Sequence, residues 1–165
     1  PERALIEKAI AKKLFARALK TDVKTGPDLL DMLDRLMAQQ LTGMMNMARK
    51  AGQFISGATK VDASVRSGHA LAVFHATDAA PDGVRKINQA RKAWTLGSGA
   101  ETEIPSFRLF SEQEMDELMG QNAFIHACAL AGQAGEGVVK RAKMLERYRN
   151  GDKPQADLDA ARTIQ

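Results

Sequence analysis

Two glycine-containing turns are the parts of this sequence whose residue types could bind an anion. The first follows a short apolar run at 54–56 and consists of Gly57, Ala58, Thr59 and Lys60. Such a strand-to-helix turn exposes backbone N–H groups at the positive end of a helix dipole, where a phosphate or the edge of a nucleobase can bind. Lys60 adds a mobile positive charge. An ordinary turn with Thr59 as the helix N-cap explains the same residues.

The second turn lies between another apolar run and a basic segment, and it consists of Gly132, Gln133, Ala134 and Gly135. Gly132 and Gly137 have the spacing of a P-loop, but Val138-Val139 stands where that motif needs Lys and then Ser or Thr. The glycine order also differs from the dinucleotide-binding fingerprint. We therefore do not expect nucleotide hydrolysis. The turn either lets a nucleic-acid backbone approach closely or is a flexible connection.

Other candidates for chemistry are weaker. His126 and Cys128 lie two residues apart in a predicted strand, so their side chains share one face. With His75 they could supply soft metal ligands, but a structural histidine and a buried thiol explain these residues better. No serine lies in a nucleophile-elbow motif. We therefore predict no catalytic residue, no metal and no cofactor.

The elements that position these residues follow from hydrophobic periodicity. It predicts helices over 28–50, 59–67, 81–95, 111–119 and 137–149, and strands over 54–56, 70–76, 107–110 and 123–130. Ser111 and Glu114 form a capping box, and residues 97–104 a loop. Strands alternating with helices indicate an α/β fold, a three-layer α/β/α sandwich around a mixed sheet of about four strands. Residues 2–20 predict an additional basic amphipathic helix at the N-terminus.

Charge and composition narrow the class of partner. The chain has 24 Lys and Arg against 20 Asp and Glu, a formal net charge of +4. The excess is modest, but basic residues are concentrated at 3–20, 85–92 and 140–149, which favours a basic face for an acidic partner. Cys128 is the only cysteine, which excludes an internal disulfide and fits a reducing cytoplasm. No apolar run reaches membrane-spanning length, so we expect no membrane partner.

Three blocks of sequence together resemble one family. They read Ala48-Arg49-Lys50-Ala51-Gly52-Gln53-Phe54-Ile55-Ser56-Gly57, then Val65-Arg66-Ser67-Gly68, then Ala76-Thr77-Asp78-Ala79. The family is the bacterial YlxQ-like branch of the ribosomal-protein L-seven-Ae superfamily, whose better-known members bind kink-turn RNA. The resemblance in element order covers roughly residues 30–150.

Residues 2–20 look like the last helix of a YlxR domain, which many proteins fuse to such a module. The resemblance implies two parts, 1–26 as the remnant of a YlxR-like domain and 27–151 as the L-seven-Ae-like domain. The sequence pattern predicts a flexible tail over 152–165. The chain begins at Pro1 and lacks the glycine- and arginine-rich half of a YlxR domain, so we expect a fragment of a longer protein.

The resemblance implies RNA binding through both turns, at Gly57, Ala58, Thr59 and Lys60 and at Gly132, Gln133, Ala134 and Gly135. Supporting basic contacts are expected from Arg49, Lys50, Arg85, Lys86, Lys140 and Arg141. Kink-turn binders follow the turn glycine with a small residue, then Asn-Glu, and a Lys a few residues on. Here Thr59 and Lys60 stand in the Asn-Glu positions and Ala63 in the Lys position. The departure predicts binding to the RNA backbone with a specificity unlike that of kink-turn relatives.

The leading hypothesis is a cytoplasmic, non-catalytic RNA-binding protein. Its partner would be structured ribosomal or transcript RNA, in association with the ribosome or the transcription machinery. One alternative is a protein-interaction module that keeps the fold without RNA binding and docks through a methionine-rich helix, with Met37, Met44, Met45 and Met47. Another is a nucleotide-using enzyme with its site at 132–137. The oligomeric state is not predicted.

Overall fold

The computed structural model describes residues 26–150, with side chains from Leu29 onward. The predicted basic helix at 2–20 and the predicted tail at 152–165 lie outside these residues. The elements are α1 (Gly26–Lys50), β1 (Phe54–Ser56), α2 (Ala58–Arg66), β2 (Ala70–His75), α3 (Pro81–Ser98), β3 (Ser106–Phe107), α4 (Glu112–Met119), a 3-10 turn (Gly120–Asn122), β4 (His126–Leu130) and α5 (Gln133–Asn150). In the described part of the chain, no helix has the length and apolar character of a membrane span.

The four strands form one mixed sheet in the order β1-β4-β2-β3. Strand β4 is antiparallel to both of its neighbours, and β3 is parallel to β2. The predicted α/β class with a mixed sheet of four strands is therefore confirmed. In the β1–β4 pair, Phe54 lies opposite Ala129 and Ser56 opposite Ala127. The end of β1 is consequently beside the start of β4, and the start of β1 is beside the end of β4.

Of the described residues, 41–142 form one compact unit, which contains the whole sheet. Residues 26–40 and 143–150 belong to a second unit, formed by the first part of α1 and the last part of α5. Within that second unit, the Arg149 guanidinium donates to both carboxylate oxygens of Asp34 at 2.9 and 3.1 Å. The Tyr148 hydroxyl donates to the carbonyl of Leu30 at 3.0 Å. These contacts join the two helix segments of the unit.

Apolar side chains cover both faces of the sheet. On one face, α2 and α3 supply Val61, Val65, Ile87 and Ala90, which pack with Val73 and Cys128 of the strands. On the other face lie the rings of Phe54, Phe74, Phe107 and Phe124, with successive centroids 5.3 to 5.7 Å apart. Met45 of α1 lines the same aromatic cluster. Each such buried side chain contributes roughly 1.5–3 kcal/mol, so both layers of helices are held mainly by apolar contacts.

Four elements differ from the prediction by three or four residues at one end. Helix α3 continues through Gly97 to Ser98, because the left-handed C-cap is Gly99, with φ 70°. Strand β3 has only two residues, since the chain after Phe107 leaves the sheet for the Ser111 cap of α4. Strand β4 begins at His126 rather than at residue 123. Helix α5 begins at Gln133 rather than at Gly137.

Candidate functional site

The Gly57 turn joins β1 to α2. Gly57 is the N-cap residue of α2, and within the described residues no side chain caps this end of the helix. Its N–H donates to the carbonyl of His126 at 2.9 Å, and its own carbonyl accepts from the N–H of Val61 at 2.9 Å. The interpretation of Thr59 as N-cap is therefore wrong, since Thr59 lies inside the first helical turn. Gly57, Ala58, Thr59 and Lys60 are all exposed, as a ligand contact requires.

Gly57 needs to be glycine because of its backbone, not because of crowding. Its φ of 109° lies in the region that residues with a Cβ rarely adopt. Nothing lies within 4 Å of the place that a Cβ would occupy. The space beside the turn is therefore open to solvent, and a ligand can approach the backbone closely.

A cleft of 640 Å³ opens beside this turn. Its walls come from three parts of the chain: Ser56, Gly57 and Ala58, then Glu112 and Asp116 of α4, then Ala123, Phe124, Ile125 and His126. The volume is within the range of a small-molecule or nucleobase pocket. Ile125 is an apolar side chain with 46% of its surface exposed. The cleft thus combines open backbone, an apolar surface and two carboxylates.

The charges around the cleft are unevenly distributed. Glu112 and Asp116 are exposed, and no lysine or arginine is among the described residues that line the cleft. Two carboxylates repel a phosphate but accept hydrogen bonds from the exocyclic amino group of a base. The start of α2, with Lys60 in its first turn, provides the positive side for a phosphate. The cleft therefore has an acidic side at Glu112 and Asp116 and a positive side at the start of α2.

The loop that brings Ile125 to the cleft is anchored to α1. The Arg49 guanidinium donates through Nη2 to the carbonyl of Asn122 at 3.1 Å, and the Asn122 amide donates to Asn46 Oδ1 at 3.1 Å. Arg49 is only partly exposed. We predicted it as a supporting cation for RNA, and in the structure one nitrogen of its guanidinium, Nη2, is bound within the protein. It is a positioning residue for the loop.

His126 lines the cleft and pairs with a second histidine. Its Nδ1 lies 2.8 Å from Nδ1 of His75, and both side chains are buried. Burial lowers the pKa of His126, and the nearby Arg108 lowers it further. Burial, followed by His126, Arg108 and Arg91, lowers the pKa of His75 to about 4. The pair is therefore neutral near pH 7 and adds no positive charge to the cleft.

Cys128 follows His126 on the same face of the sheet, as predicted. Burial raises the pKa of its thiol to about 11, partly offset by a hydrogen bond with Ser64. The thiol is thus protonated and poorly nucleophilic at neutral pH. Among residues 26–150, no three histidine, cysteine or carboxylate side chains are grouped closely enough to hold a metal ion.

The second predicted turn, at Gly132–Gly135, has a different role. The Gln53 side-chain oxygen accepts from the N–H of Ala134 at 2.9 Å and from that of Gly135 at 3.0 Å. A Cβ on Gly132 would collide with the Gln53 side chain, and one on Gly135 with the carbonyl of Leu130. These glycines therefore permit close packing of α5 against the sheet. In this predicted RNA-binding turn, the N–H groups of Ala134 and Gly135 already have a partner inside the protein.

The two predicted turns also lie at opposite ends of β4. Gly57 is beside His126 at the start of that strand, and Gly132 follows its end. A strand of five residues separates them by roughly 17 Å. The two turns that were predicted to bind RNA therefore lie apart on the sheet. The structure instead brings Ala123, Phe124 and Ile125 to Gly57, residues that sequence reasoning missed.

The remaining predicted basic residues lie on separate surfaces. Lys50 is exposed at the end of α1. It is close in sequence to Gln53, which lies beside Leu130 at the end of β4 opposite Gly57. Lys140 and Arg141 are in α5, where Arg141 Nη1 donates to the carbonyl of Gly137 at 3.4 Å. Arg85 and Lys86 are exposed on α3. The structure does not gather these cations around one turn.

The chain is similar to a curated protein named RNA-binding protein YlxQ, from Enterococcus faecium. The two are 27% identical over 107 residues, which make up 65% of this chain and 91% of the relative. A solved structure described as a protein with unknown function from Bacillus halodurans C has a related fold, with a TM-score of 0.51 at 14% identity. That match covers 64% of this chain and 98% of the other. No family model matches.

The first similarity supports a YlxQ-like relationship over 65% of this chain, and the second supports the fold alone. The likeness of residues 2–20 to a YlxR domain stays a prediction.

Proposed function

We propose that this chain is a non-catalytic RNA-binding protein that holds an unpaired nucleotide of a structured RNA in the cleft beside Gly57. The observation that carries the proposal is the open glycine turn at the rim of a 640 Å³ cleft. A relative named as an RNA-binding protein, matched over 91% of its length, supports the choice of RNA.

Each part of the site has a role in this proposal. The exposed N–H groups at the start of α2 and the Lys60 ammonium bind the phosphate of the held nucleotide. Ile125 packs against the base, and Glu112 or Asp116 accepts a hydrogen bond from its amino group. Sequence-specific recognition of RNA commonly uses such splayed, unpaired bases.

The RNA would be ribosomal RNA or a structured transcript, and the ribosome or the transcription machinery would be the setting. A cytoplasmic location belongs to the same proposal. Thr59 and Lys60 replace the Asn-Glu pair of kink-turn binders, so the base contacts differ from theirs. We therefore expect a preference for loops other than the kink-turn.

The two competing hypotheses have less support. Docking through a methionine-rich helix needs exposed methionines, but Met45 is only 1% exposed, while Met47 is 60% exposed. A phosphate loop at 132–137 needs available N–H groups, and Gln53 already occupies those of Ala134 and Gly135. Neither the methionine-rich helix nor the 132–137 segment therefore offers a binding surface as open as the turn at Gly57.

Fluorescence anisotropy with a labelled, bulged RNA hairpin tests the proposal. Lys60→Glu is compared with Lys50→Glu, an exposed residue with the same change of charge at the opposite end of β4. We expect Lys60→Glu to weaken binding by about tenfold or more, which is about 1.4 kcal/mol, and Lys50→Glu by much less. Wild-type protein that does not bind the hairpin, or equal losses in the two variants, would contradict the proposal.

A further inference from the structure

A second depression, of 440 Å³, lies along α3. We call it the α3 groove, and its polar lining consists of Arg85, Asn88, Gln89, Lys92 and Arg108. The first four come from one helix, and Arg108 follows β3 and forms the other side. No carboxylate is among the described residues that line the groove. Its charge is therefore the reverse of that in the cleft beside Gly57.

Two of the cations in the α3 groove are available to a ligand. Lys92 and Arg108 are exposed, and within residues 26–150 neither has a carboxylate ion-pair partner. Arg85 is different, since its Nη2 lies 2.8 Å from Asp82 Oδ1. That exposed pair neutralises part of its charge. Lys92 and Arg108 are consequently the main source of positive potential in the groove.

The spacing along α3 suits a linear, repeating anion. Residues 85, 88 and 92 are three and four positions apart, so their side chains lie on one face of the helix. At about 1.5 Å of rise per residue, residues 85 to 92 span roughly 10 Å. Because a nucleic-acid strand carries a phosphate at every nucleotide, a strand segment of this length can contact the face through more than one phosphate. Asn88 and Gln89 add amide donors for phosphate or ribose oxygens.

The α3 groove begins close to the cleft described above. A Cβ at Gly83, in the first turn of α3, would meet the His126 imidazole, which lines the cleft. Arg108 is also near enough to His75 and His126 to lower the pKa of both. The groove and the cleft thus meet at the same end of the sheet. One RNA molecule can contact both without a large bend.

We propose that the α3 groove binds the sugar-phosphate backbone of the RNA segment adjoining the nucleotide held beside Gly57. This inference rests on the proposed function and adds a second contact surface to it. An acidic protein segment would satisfy the same charges. The repeating spacing along α3 and the continuity with the cleft favour RNA.

The experiment uses the full chain and the bulged hairpin, with Lys92→Glu and Arg108→Glu measured against Lys86→Glu. Lys86 is exposed on the same helix but does not line the α3 groove, and its substitution changes the charge equally. We expect each groove variant to weaken binding about tenfold and to lower the slope of log affinity against log salt by about 1. Lys86→Glu is expected to weaken binding by threefold or less.

Shortening the duplex arms of the hairpin should make Lys92→Glu and Lys86→Glu equivalent, because the flanking backbone is then missing. Circular dichroism checks the fold of each variant. If a groove variant does not fold, Lys92→Gln is measured instead, because it removes the positive charge without introducing a negative one. Equal effects of Lys92→Glu and Lys86→Glu on the long hairpin would overturn the inference. Binding of poly-L-glutamate that depends on Lys92, without an effect on RNA, would also overturn it, in favour of an acidic protein partner.

The two proposals fail in different ways. Wild-type protein without affinity for the hairpin overturns both. If the wild type binds and Lys60→Glu weakens binding, but the groove variants behave like Lys86→Glu, only the α3 groove is excluded.

Discussion

The side-chain oxygen of Gln53 accepts a hydrogen bond from the backbone N–H of Gly135 at 3.0 Å, between residues 82 positions apart in the chain. The same oxygen accepts from Ala134 at 2.9 Å, so one side chain beside β1 caps the start of α5. Caps of this kind are normally supplied by the residue just before the helix. The glycine-rich segment at 132–135 looks like a ligand-binding loop in the sequence, but in the structure it is the capped N-terminus of α5.

Replacing Gln53 should test this role. Gln53→Leu leaves two helix N–H groups without their acceptor, so we expect the free energy of unfolding to fall by about 1–2 kcal/mol. Gln53→Glu keeps an acceptor at the positive end of the helix dipole and should stay within about 0.5 kcal/mol of wild type. Urea denaturation monitored by circular dichroism measures both. Equal stabilities of the Leu and Glu variants would show that the cap contributes nothing.

A methyl group at Gly135 should be far more harmful than one at another helical glycine. In Gly135→Ala the new Cβ meets the carbonyl of Leu130, and α5 must move away from the sheet. We expect a loss of about 3 kcal/mol, or failure to fold. The control is Gly43→Ala in α1, where nothing lies within 4 Å, and it should stabilise the protein by about 0.5–1 kcal/mol. Thermal unfolding of both variants measures the difference. Similar unfolding temperatures for Gly135→Ala and Gly43→Ala would refute the close packing at Gly135.

The His75–His126 pair predicts acid-sensitive stability. The folded protein holds the pKa of His75 at about 4, below its ordinary value of 6.5, so the unfolded chain binds the proton more tightly. The stability from neutral His75 is therefore complete above pH 6.5 and is lost as pH falls towards 4, on the order of 3 kcal/mol. Chemical denaturation from pH 7.5 to 4 measures this slope.

His75→Leu should flatten that pH dependence, and the exposed His69→Gln should leave it unchanged. A wild-type stability that is constant across this range would contradict burial of a neutral His75.

Truncating the exposed apolar side chain at the cleft should affect RNA binding rather than folding. Ile125→Ala removes the apolar surface proposed to contact the base, and we expect a loss of affinity of about fivefold, roughly 1 kcal/mol. Because no charge changes, the salt dependence should remain that of wild type. Leu96→Ala, at an apolar residue that is 84% exposed, is the control and should have no effect. A loss that is the same for Leu96→Ala, or a changed salt slope, would argue against base contact at Ile125.

Elements with strong local patterns were predictable from the sequence. The Ser111–Glu114 capping box gives the start of α4, and the structure contains both of its hydrogen bonds. Strand β1 was predicted with the bounds it has, because Gly52 and Gly57 flank a short apolar run. These features depend on neighbours within a few residues, so one sequence is sufficient to find them.

The second half of the candidate site depends on distant pairing. Ser56 lies beside Ala127 because β1 pairs with the last strand rather than with the next one. No local pattern records this strand order, so the loop at Ala123–Ile125 was not predicted as a neighbour of Gly57. The α5 boundary was missed for the same reason, since its cap comes from Gln53. The sequence does place an apolar residue, Ile125, just before the start of β4, and in the structure 46% of its surface is exposed.

The pairing of β1 with β4 also has a consequence for folding. Ser56 and Ala127 are 71 positions apart in the chain, and contacts so distant in sequence form slowly. The cleft walls at Gly57 and Ile125 therefore do not meet in a chain that has folded only its first helices and strand. A ligand that bridges them binds the completed fold and not the unfolded chain, so by mass action it raises the stability of that fold. RNA held in the cleft would thus protect the protein from proteolysis, and the protection would increase with the RNA concentration.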